Sequence, residues 1–269
     1  MTGTCRKFLV PLALLALVAA ACGGDDDDDA AETTSPATTG AAAGVEGDIA
    51  VFAAASLTES FTEVGEAFTA VNPDAQATFS FDASSALVQQ ITEGAPADVL
   101  ASADTANMDK LTEAALNGSE PVVFATNLLT IITAPDNPLG ITGVADLANP
   151  DIKTVICAPE VPCGNYANQL FTSAGVAVTP VSLEQNVRGV VTKVTAGEAD
   201  AGIVYVTDVI AAGDAADMVE IPADINVVAE YPIATVAASQ NQEVGEAFID
   251  FLLGADGQAI LSAHGFGAP

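Results

Sequence analysis

From residue 48 to the end, short apolar runs alternate with segments whose apolar residues recur at helical spacing. The run at 48–54 predicts a strand, and the three- to four-residue spacing of apolar positions over 57–71 predicts a helix. Further strands are predicted at 75–81, 98–102, 127–134, 153–156, 227–230 and 233–237, with another buried strand within 197–209. Further helices are predicted around 87–91 and over 108–115, 166–174, 183–196 and 244–253, with a short one ending at 264. This alternation is typical of an α/β fold with mainly parallel strands.

The first 46 residues have a different pattern and are expected to lie outside that fold. Arg6 and Lys7 precede an apolar run that ends in small residues and Cys22, and this run is too short to span a bilayer comfortably. Residues 1–22 are therefore predicted to be a secretory signal. Its last residues resemble a bacterial lipoprotein signal, with lipid attached to Cys22; the alternative is an ordinary cleaved signal. Residues 23–46, which include five consecutive aspartates, are predicted to be a disordered acidic linker.

The net charge limits the kinds of partner the protein can bind, and the cysteines bear on whether it has a disulfide or a metal site. The chain has 36 Asp and Glu against 6 Lys and Arg, a net charge of −30, which argues against nucleic acid or an anionic membrane surface as a partner. Attachment to the membrane would be through the lipid alone. Two cysteines of the exported part, Cys157 and Cys163, are six residues apart, which favours a local disulfide. A metal site would need further ligands, and the single histidine, His264, is distant in sequence.

Two strand-to-helix junctions place serines where a helix begins. Ser56 follows the first strand, and its spacing to Glu59 predicts a capping box. Ser84 and Ser85 follow the second strand. Parallel strands end at the same edge of a sheet, and helix N-termini favour anions through their free N–H groups. The two junctions together predict an anion site, although Ser56 could serve only as a cap.

Several segments, in this order, resemble periplasmic molybdate-binding proteins, the solute receptors of molybdate ABC transporters. They are VFAAASLTESF, FDASSALVQQI, GAPADVLASAD, APEVPCGNYA, NVRGVV and ADAGIVYVTDV. The resemblance covers roughly residues 48–266. It implies a type II periplasmic-binding-protein fold, in which two α/β lobes joined by crossover strands close on the ligand. Lobe 1 would comprise residues 47–126 and 234–269, and lobe 2 residues 127–233.

The resemblance also implies a set of ligand-binding groups without a charged side chain. The hydroxyls of Ser56 and Ser84, the main-chain amides of Cys163 and Val187, and the hydroxyl of Tyr205 would hold the oxyanion. All of these groups can donate hydrogen bonds. Molybdate is fully deprotonated at pH 7 and can only accept them, whereas hydrogen phosphate has a proton that such a site leaves unpaired. Tungstate, which is nearly the same size, should bind as well, and no cofactor is expected.

Some positions leave alternatives open. Ser85 could replace Ser84 as the donor. Asp82 is expected to face solvent or cap the following helix; inside the pocket it would repel a dianion or accept a phosphate proton. Arg188 is expected to have a structural or surface role rather than to steer anions. Tyr166 and Tyr231 are expected to pack in the interior, and His264 to end a helix before Gly265.

The predicted function is therefore that of a monomeric, lipid-anchored extracytoplasmic receptor that delivers molybdate to an ABC permease. The first alternative is a receptor of the same fold for sulfate, thiosulfate or phosphate. A serine hydrolase using Ser56 or Ser84 is a remote alternative, because neither serine has an activating histidine or Ser-x-x-Lys lysine nearby in the sequence. An adhesion module would need an exposed aromatic patch, and the chain has no Trp and three Tyr.

Overall fold

The computed structural model describes residues 44–269. The predicted signal peptide, the lipidation site at Cys22 and most of the predicted linker lie outside the described residues. No helix between residue 44 and the last residue is both long enough and apolar enough to cross a membrane.

Strands and helices alternate along the described chain. The strands are β1 (Gly47–Ala54), β2 (Ala75–Asp82), β3 (Val99–Ala101), β4 (Val122–Thr133), β5 (Thr154–Cys157), β6 (Ser182–Glu184), β7 (Ala201–Tyr205), β8 (Asp217–Val219) and β9 (Val228–Thr235). The helices are α1 (Thr58–Val71), α2 (Ser84–Thr92), α3 (Thr105–Glu113), α4 (Pro162–Ala174), α5 (Val187–Thr195), α6 (Val206–Ala212), α7 (Gln242–Leu253) and α8 (Ala255–Ala263). Short 3-10 turns occur at Ala55–Leu57, Val144–Ala148 and Gly213–Ala215.

Most of these elements lie where the apolar pattern predicted them, with two exceptions. The strands predicted separately at 227–230 and 233–237 form the single strand β9 (Val228–Thr235). The helix expected over 183–196 begins only at Val187, because Ser182–Glu184 forms strand β6 against β5. Asn186 separates the two elements: its side chain accepts a hydrogen bond from the N–H of Gly189 and so caps α5. The short elements α6 and β8 were not predicted. Gly265 follows α8 at a φ of 90°, in agreement with the expected helix end at His264.

One continuous sheet contains two groups of parallel strands. Its order is β2-β1-β3-β9-β4-β7-β5-β6, with β8 also paired to β4. β1 pairs parallel with β2 and β3, and β5 pairs parallel with β6 and β7. The long strands β4 and β9 lie between these groups and pair antiparallel with each other. The mixed α/β class is as predicted. Each antiparallel pair of the described sheet includes β4 or β9: β3 with β9, and β4 with β7, β8 and β9.

An aromatic cluster holds helices α1 and α7 against the first parallel group. The ring of Phe248 lies 5.4 Å from Phe68 and 6.1 Å from both Phe61 and Phe79, centroid to centroid. Phe61, Phe68 and Phe248 are fully buried. Such tilted and edge-to-face contacts add to the free energy gained by burying the rings. This packing fixes α1, and therefore the turn that precedes it, relative to the sheet.

Replacing Phe248 by alanine should lower the free energy of unfolding by about 3–5 kcal/mol, because it leaves a cavity among three rings. Denaturant unfolding followed by circular dichroism measures this loss. Phe251 provides the matched control, since it is only partly buried and contacts Phe68 alone among these rings, at 5.8 Å. An equal loss in Phe248→Ala and Phe251→Ala would contradict the central position assigned to Phe248.

Candidate functional site

A small cavity lies where the carboxyl ends of the two parallel strand groups face each other. The residues that line it come at or just after the ends of six strands: β1, β2, β3, β5, β6 and β7. They are Ala54, Ala55, Ser56, Asp82, Ala83, Ser84, Ala103, Pro162, Cys163, Asn186, Val187 and Tyr205. All five residues that the sequence singled out as ligand-binding therefore lie in the wall of one cavity.

Three helices begin at this cavity. Ser84 is the first residue of α2, Val187 is the first of α5, and Cys163 is the second of α4. The first N–H groups of a helix have no partner within the helix, and the helix dipole makes that end electropositive. The cavity therefore combines main-chain donors with a positive potential that does not depend on a charged side chain.

Both serine hydroxyls in the wall have a defined partner in the protein. The Ser84 oxygen accepts a hydrogen bond of 2.9 Å from the N–H of Ala103, which leaves the Ser84 proton free to donate. The Ser56 oxygen lies 2.9 Å from the hydroxyl oxygen of Tyr231. Ser84 is fully buried, whereas its neighbour Ser85 is only partly buried and is not part of the wall.

The predicted capping box at Ser56 is wrong. Ser56 lies inside the 3-10 turn Ala55–Leu57, no side chain caps that turn or α1, and the N-cap position of α1 is Leu57. The hydroxyl of Ser56 is instead directed to Tyr231, and Glu59 forms an ion pair with Arg188 at 2.6 Å. The physical reason is burial: Ser56 is 6% exposed, and its side chain is placed by contacts from β9 rather than by its own helix.

Tyr205 contributes a hydroxyl without a partner. Its ring is 1% exposed, and its oxygen is one of the few buried side-chain polar atoms among residues 44–269 that lack a hydrogen bond. Burial, reinforced by the neighbouring Tyr231 and Tyr166, raises the pKa of Tyr205 well above its usual value. Tyr205 is therefore a neutral O–H donor at physiological pH. A buried hydroxyl left unpaired is unfavourable unless a ligand accepts from it.

The wall contains no Lys, Arg or His, and its one acidic residue is Asp82. The sequence led us to expect that Asp82 faces solvent or caps α2; Asp82 instead lies in the cavity wall, and no side chain caps α2. Its Oδ1 accepts hydrogen bonds from the N–H of Ala83 at 2.8 Å and from Nδ2 of Asn186 at 3.0 Å. The carboxylate is thus held by two donors at the side of the cavity.

The loop between β5 and α4 is tightly fixed where it supplies Cys163. The sulfur atoms of Cys157 and Cys163 are bonded in the structure, with their Cα atoms 5.7 Å apart. Gly164 follows, and a Cβ at that position would lie 2.6 Å from the carbonyl oxygen of Cys157 and closer still to that of Ala158. Only glycine permits this approach. The start of α4 is therefore held against the end of β5.

Sequence reasoning missed three residues that shape the site. Ala103 and Asn186 line the cavity, and Tyr231 bonds to Ser56 although it was expected only to pack. The ring of Tyr231 does pack, against Phe266 at 5.4 Å and Tyr205 at 5.9 Å. Asn186 could have been recognised, since Asn before an apolar helical pattern is a capping signal. No local pattern indicates that Tyr231 reaches Ser56, because 175 positions separate them.

The family match and the similar proteins all point to extracellular solute-binding proteins. Residues 49–267 match the family described as bacterial extracellular solute-binding protein. The molybdate-binding protein ModA of Mycobacterium tuberculosis H37Rv is 42% identical over 221 residues, which cover 82% of this chain and 85% of that protein. ModA of Escherichia coli K12 is 32% identical over 232 residues, covering 82% and 89% of the two chains.

Solved structures have the same fold. The periplasmic molybdate-binding protein of Azotobacter vinelandii superposes with a TM-score of 0.70 at 21% identity, over 82% of this chain and 99% of that one. The sulfate-binding protein SubI of Mycobacterium tuberculosis superposes with a TM-score of 0.74, also at 21% identity, over 81% and 86% of the chains. At this identity the likeness concerns the fold alone, and it confirms the predicted two-lobed periplasmic-binding-protein class.

A buried carboxylate lies directly behind the cavity. Asp208 is 2% exposed, and its Oδ2 accepts a hydrogen bond of 2.9 Å from the N–H of Tyr205. Burial raises the pKa of Asp208 to about 7, against the opposing effects of that hydrogen bond and of the Arg188 charge; the Glu59 charge raises it further. Between pH 4 and 7 the folded protein therefore holds a proton at Asp208 that the unfolded chain has lost.

This difference should make Asp208 destabilising as the pH rises, because folding then requires a charged carboxylate in a buried position. Asp208→Asn keeps an oxygen that can accept from Tyr205. The melting temperature of the variant should exceed that of the unaltered protein at pH 8, by about 2–4 °C for each kcal/mol gained, and the advantage should shrink towards pH 5. Differential scanning fluorimetry across this range measures it.

Asp146→Asn is the control of opposite sign. Hydrogen bonds from the main-chain N–H and hydroxyl of Thr142 lower the pKa of Asp146, which is partly exposed, so its neutralisation should not stabilise the protein at pH 8. A pH-independent effect of Asp208→Asn would show that Asp208 does not titrate as described.

Proposed function

Because the chain belongs to the family of bacterial extracellular solute-binding proteins, we propose that it binds molybdate outside the cytoplasm and delivers it to an ABC permease. Members of this family bind solutes for transport and are not enzymes. The ligand-binding groups proposed are the hydroxyls of Ser56, Ser84 and Tyr205 and the main-chain amides of Cys163 and Val187. The 42% identity to a molybdate-binding protein supports this assignment.

The observation that carries the proposal is the unpaired, buried hydroxyl of Tyr205 in a wall without a basic side chain. An oxyanion in the cavity would accept from this hydroxyl, from the two serines and from N–H groups at helix starts. Hydrogen bonds to a charged acceptor are each worth about 1.5–3 kcal/mol. Such bonds, together with the helix dipoles, can offset the cost of removing a dianion from water.

The donors also distinguish between anions. A fully deprotonated tetrahedral dianion can accept from every one of them, whereas hydrogen phosphate brings a proton that needs an acceptor. Tungstate has the same charge and nearly the same size as molybdate, so we propose that it binds too. Size, rather than protonation, would have to exclude sulfate.

A receptor for sulfate, thiosulfate or phosphate is the second candidate. One observation favours it: the presence of Asp82 in the cavity wall. A carboxylate there could accept the proton of hydrogen phosphate. Its Oδ1 accepts from Ala83 and Asn186, and the 42% identity to a molybdate-binding protein makes molybdate the better supported ligand.

We propose that binding closes two lobes, residues 47–126 with 234–269 and residues 127–233. Strands β4 and β9 would be the crossover strands, since β9 pairs with β3 of the first group, β4 pairs with β7 of the second group, and β4 and β9 pair with each other. Two contacts would hold the closed form: Asp82 with Asn186 at 3.0 Å, and Glu59 with Arg188 at 2.6 Å. Each contact joins residues assigned to different lobes.

Anchoring and assembly are proposed from the sequence. Cleavage before Cys22 and lipidation of that cysteine would tether the domain to the outer face of the cell membrane through the linker 23–46. One chain supplies every proposed ligand-binding group, which supports action as a monomer. The partner would be the permease of an ABC transporter.

The bond between Cys157 and Cys163 is proposed to form in the exported protein and to hold the loop that presents the Cys163 N–H. The chain-entropy estimate for so short a loop is on the order of 2 kcal/mol. The main-chain N–H of Cys163 would bind the ligand, whereas its sulfur would only hold the loop in place through the disulfide.

Tyr205→Phe should weaken molybdate binding by about 10- to 150-fold, which corresponds to one hydrogen bond to a charged acceptor. The same change should raise the stability of the ligand-free protein, because it removes a buried hydroxyl that has no hydrogen-bond partner. Calorimetric titration of residues 47–269 with molybdate, tungstate, sulfate and phosphate measures the affinities, and thermal melts measure the stability.

Ser84→Ala and Ser85→Ala form the matched pair for this experiment. Only Ser84 lies in the wall, so only its replacement should reduce affinity. Tight binding of sulfate or phosphate in place of molybdate would establish the second candidate. Failure of the unaltered protein to bind any of the four anions would exclude the proposed function.

The double variant Cys157→Ala, Cys163→Ala should lower the free energy of unfolding by about 2 kcal/mol or more and keep molybdate binding, because alanine retains the main-chain N–H. Denaturant unfolding and titration measure the two quantities. Dithiothreitol treatment of the unaltered protein is the control and should reproduce the loss of stability. Loss of binding without loss of stability would contradict the role given to the disulfide.

A further inference from the structure

Tyr231 lies in the crossover strand β9, beneath the cavity and outside its wall. It is fully buried, and its hydroxyl oxygen is 2.9 Å from the Ser56 oxygen. Geometry alone leaves open which of these two hydroxyls donates. The answer matters, because Ser56 has one proton and can give it either to Tyr231 or to a ligand.

Asn127, on the neighbouring crossover strand β4, decides the direction. Its Oδ1 accepts a 2.9 Å hydrogen bond from the N–H of Leu128, and this fixes which end of the amide is oxygen. Its Nδ2 therefore points the other way, to Thr207 Oγ1 at 2.9 Å and to the hydroxyl oxygen of Tyr231 at 3.5 Å. An amide nitrogen can only donate, so the Tyr231 oxygen is the acceptor in this contact.

The Asn127 nitrogen cannot take the Tyr231 proton, so among the described residues the Ser56 oxygen is the acceptor within hydrogen-bond distance of that hydroxyl, and Tyr231 donates to it. Ser56 then accepts from the protein, and its single proton is left for the cavity. The same order is seen at Ser84, whose oxygen accepts from the N–H of Ala103. At Ser84, a hydrogen bond from a main-chain N–H leaves the serine proton free to donate. At Ser56, hydrogen bonds from Asn127 to Tyr231 and from Tyr231 to the serine have the same effect.

We propose that Tyr231, oriented by Asn127, is a positioning residue that fixes Ser56 as a hydrogen-bond donor and thereby selects fully deprotonated tetrahedral oxyanions over protonated ones. This inference rests on the proposed function and extends it to residues outside the cavity wall. Without Tyr231, the Ser56 hydroxyl could turn and accept the proton of hydrogen phosphate. The selectivity against phosphate would then depend on a contact below the site rather than on the wall alone.

The test is to titrate Tyr231→Phe with molybdate and with phosphate near pH 7.5. Molybdate affinity should fall by about 2- to 12-fold, the loss expected for one neutral hydrogen bond, and the preference for molybdate over phosphate should shrink. In a Ser56→Ala background the Tyr231→Phe change should have no further effect on molybdate affinity, because the tyrosine acts through that serine.

Tyr166→Phe is the matched control. Tyr166 is also buried, and its ring contacts Tyr205 at 6.5 Å, as the ring of Tyr231 does at 5.9 Å. This control should leave the molybdate-to-phosphate ratio unchanged. If Tyr231→Phe folds poorly, as judged by its melting temperature, Asn127→Ala replaces it: Tyr231 remains, its proton is no longer directed, and the ratio should change in the same direction.

Two results would overturn the inference. One is an equal loss of affinity for both anions, and the other is an undiminished Tyr231→Phe effect in the Ser56→Ala background; either would reduce Tyr231 to a packing role. In both cases the unaltered protein would still bind molybdate, so the proposed function would stand. If the unaltered protein binds none of the anions, the proposed function fails and this inference fails with it.

Discussion

Antiparallel pairing of β4 with β9 is the constraint on which the site depends. These two strands run through the middle of the sheet and carry a parallel group on each side. Each parallel group ends in loops and helix starts, which by themselves would form only half of a cavity. Because β4 and β9 join the groups into one curled sheet, the carboxyl ends of six strands meet around a common space. Binding groups far apart in sequence thus become neighbours.

The chemistry of the cavity follows from the direction of its hydrogen bonds. Helix starts supply N–H groups, and these can only donate. The serine hydroxyls could act either way, but each oxygen has a protein partner: a main-chain N–H at Ser84 and the Tyr231 hydroxyl at Ser56. Tyr205 is kept neutral by burial and has no protein partner. A wall made of donors, with its one carboxylate held by Asn186, is suited to an anion that has no proton of its own.

The large negative charge of the chain therefore does not prevent an anion site. At physiological ionic strength, the repulsion between acidic side chains on the surface and an anion is largely screened beyond about 8 Å. The dipoles in the cavity wall act at contact distance, where this screening is weak. The basic residue nearest in sequence to a proposed ligand-binding group, Arg188, is paired with Glu59. Attraction of the ligand would thus be local and would come from main-chain and hydroxyl groups.

The sequence by itself determined the fold class and the positions of most strands and helices, and its resemblance to molybdate-binding proteins singled out the five residues that line the cavity wall. Apolar periodicity and the motifs at strand ends are local, and a parallel sheet brings such ends to one edge whatever the details of packing. Tertiary structure alone decided the role of Ser56, which does not cap a helix, and the partners of Tyr231, Asp82 and Asn186. The contacts between Ser56 and Tyr231 and between Asp82 and Asn186 join positions more than 100 residues apart, for which the local pattern contains no signal.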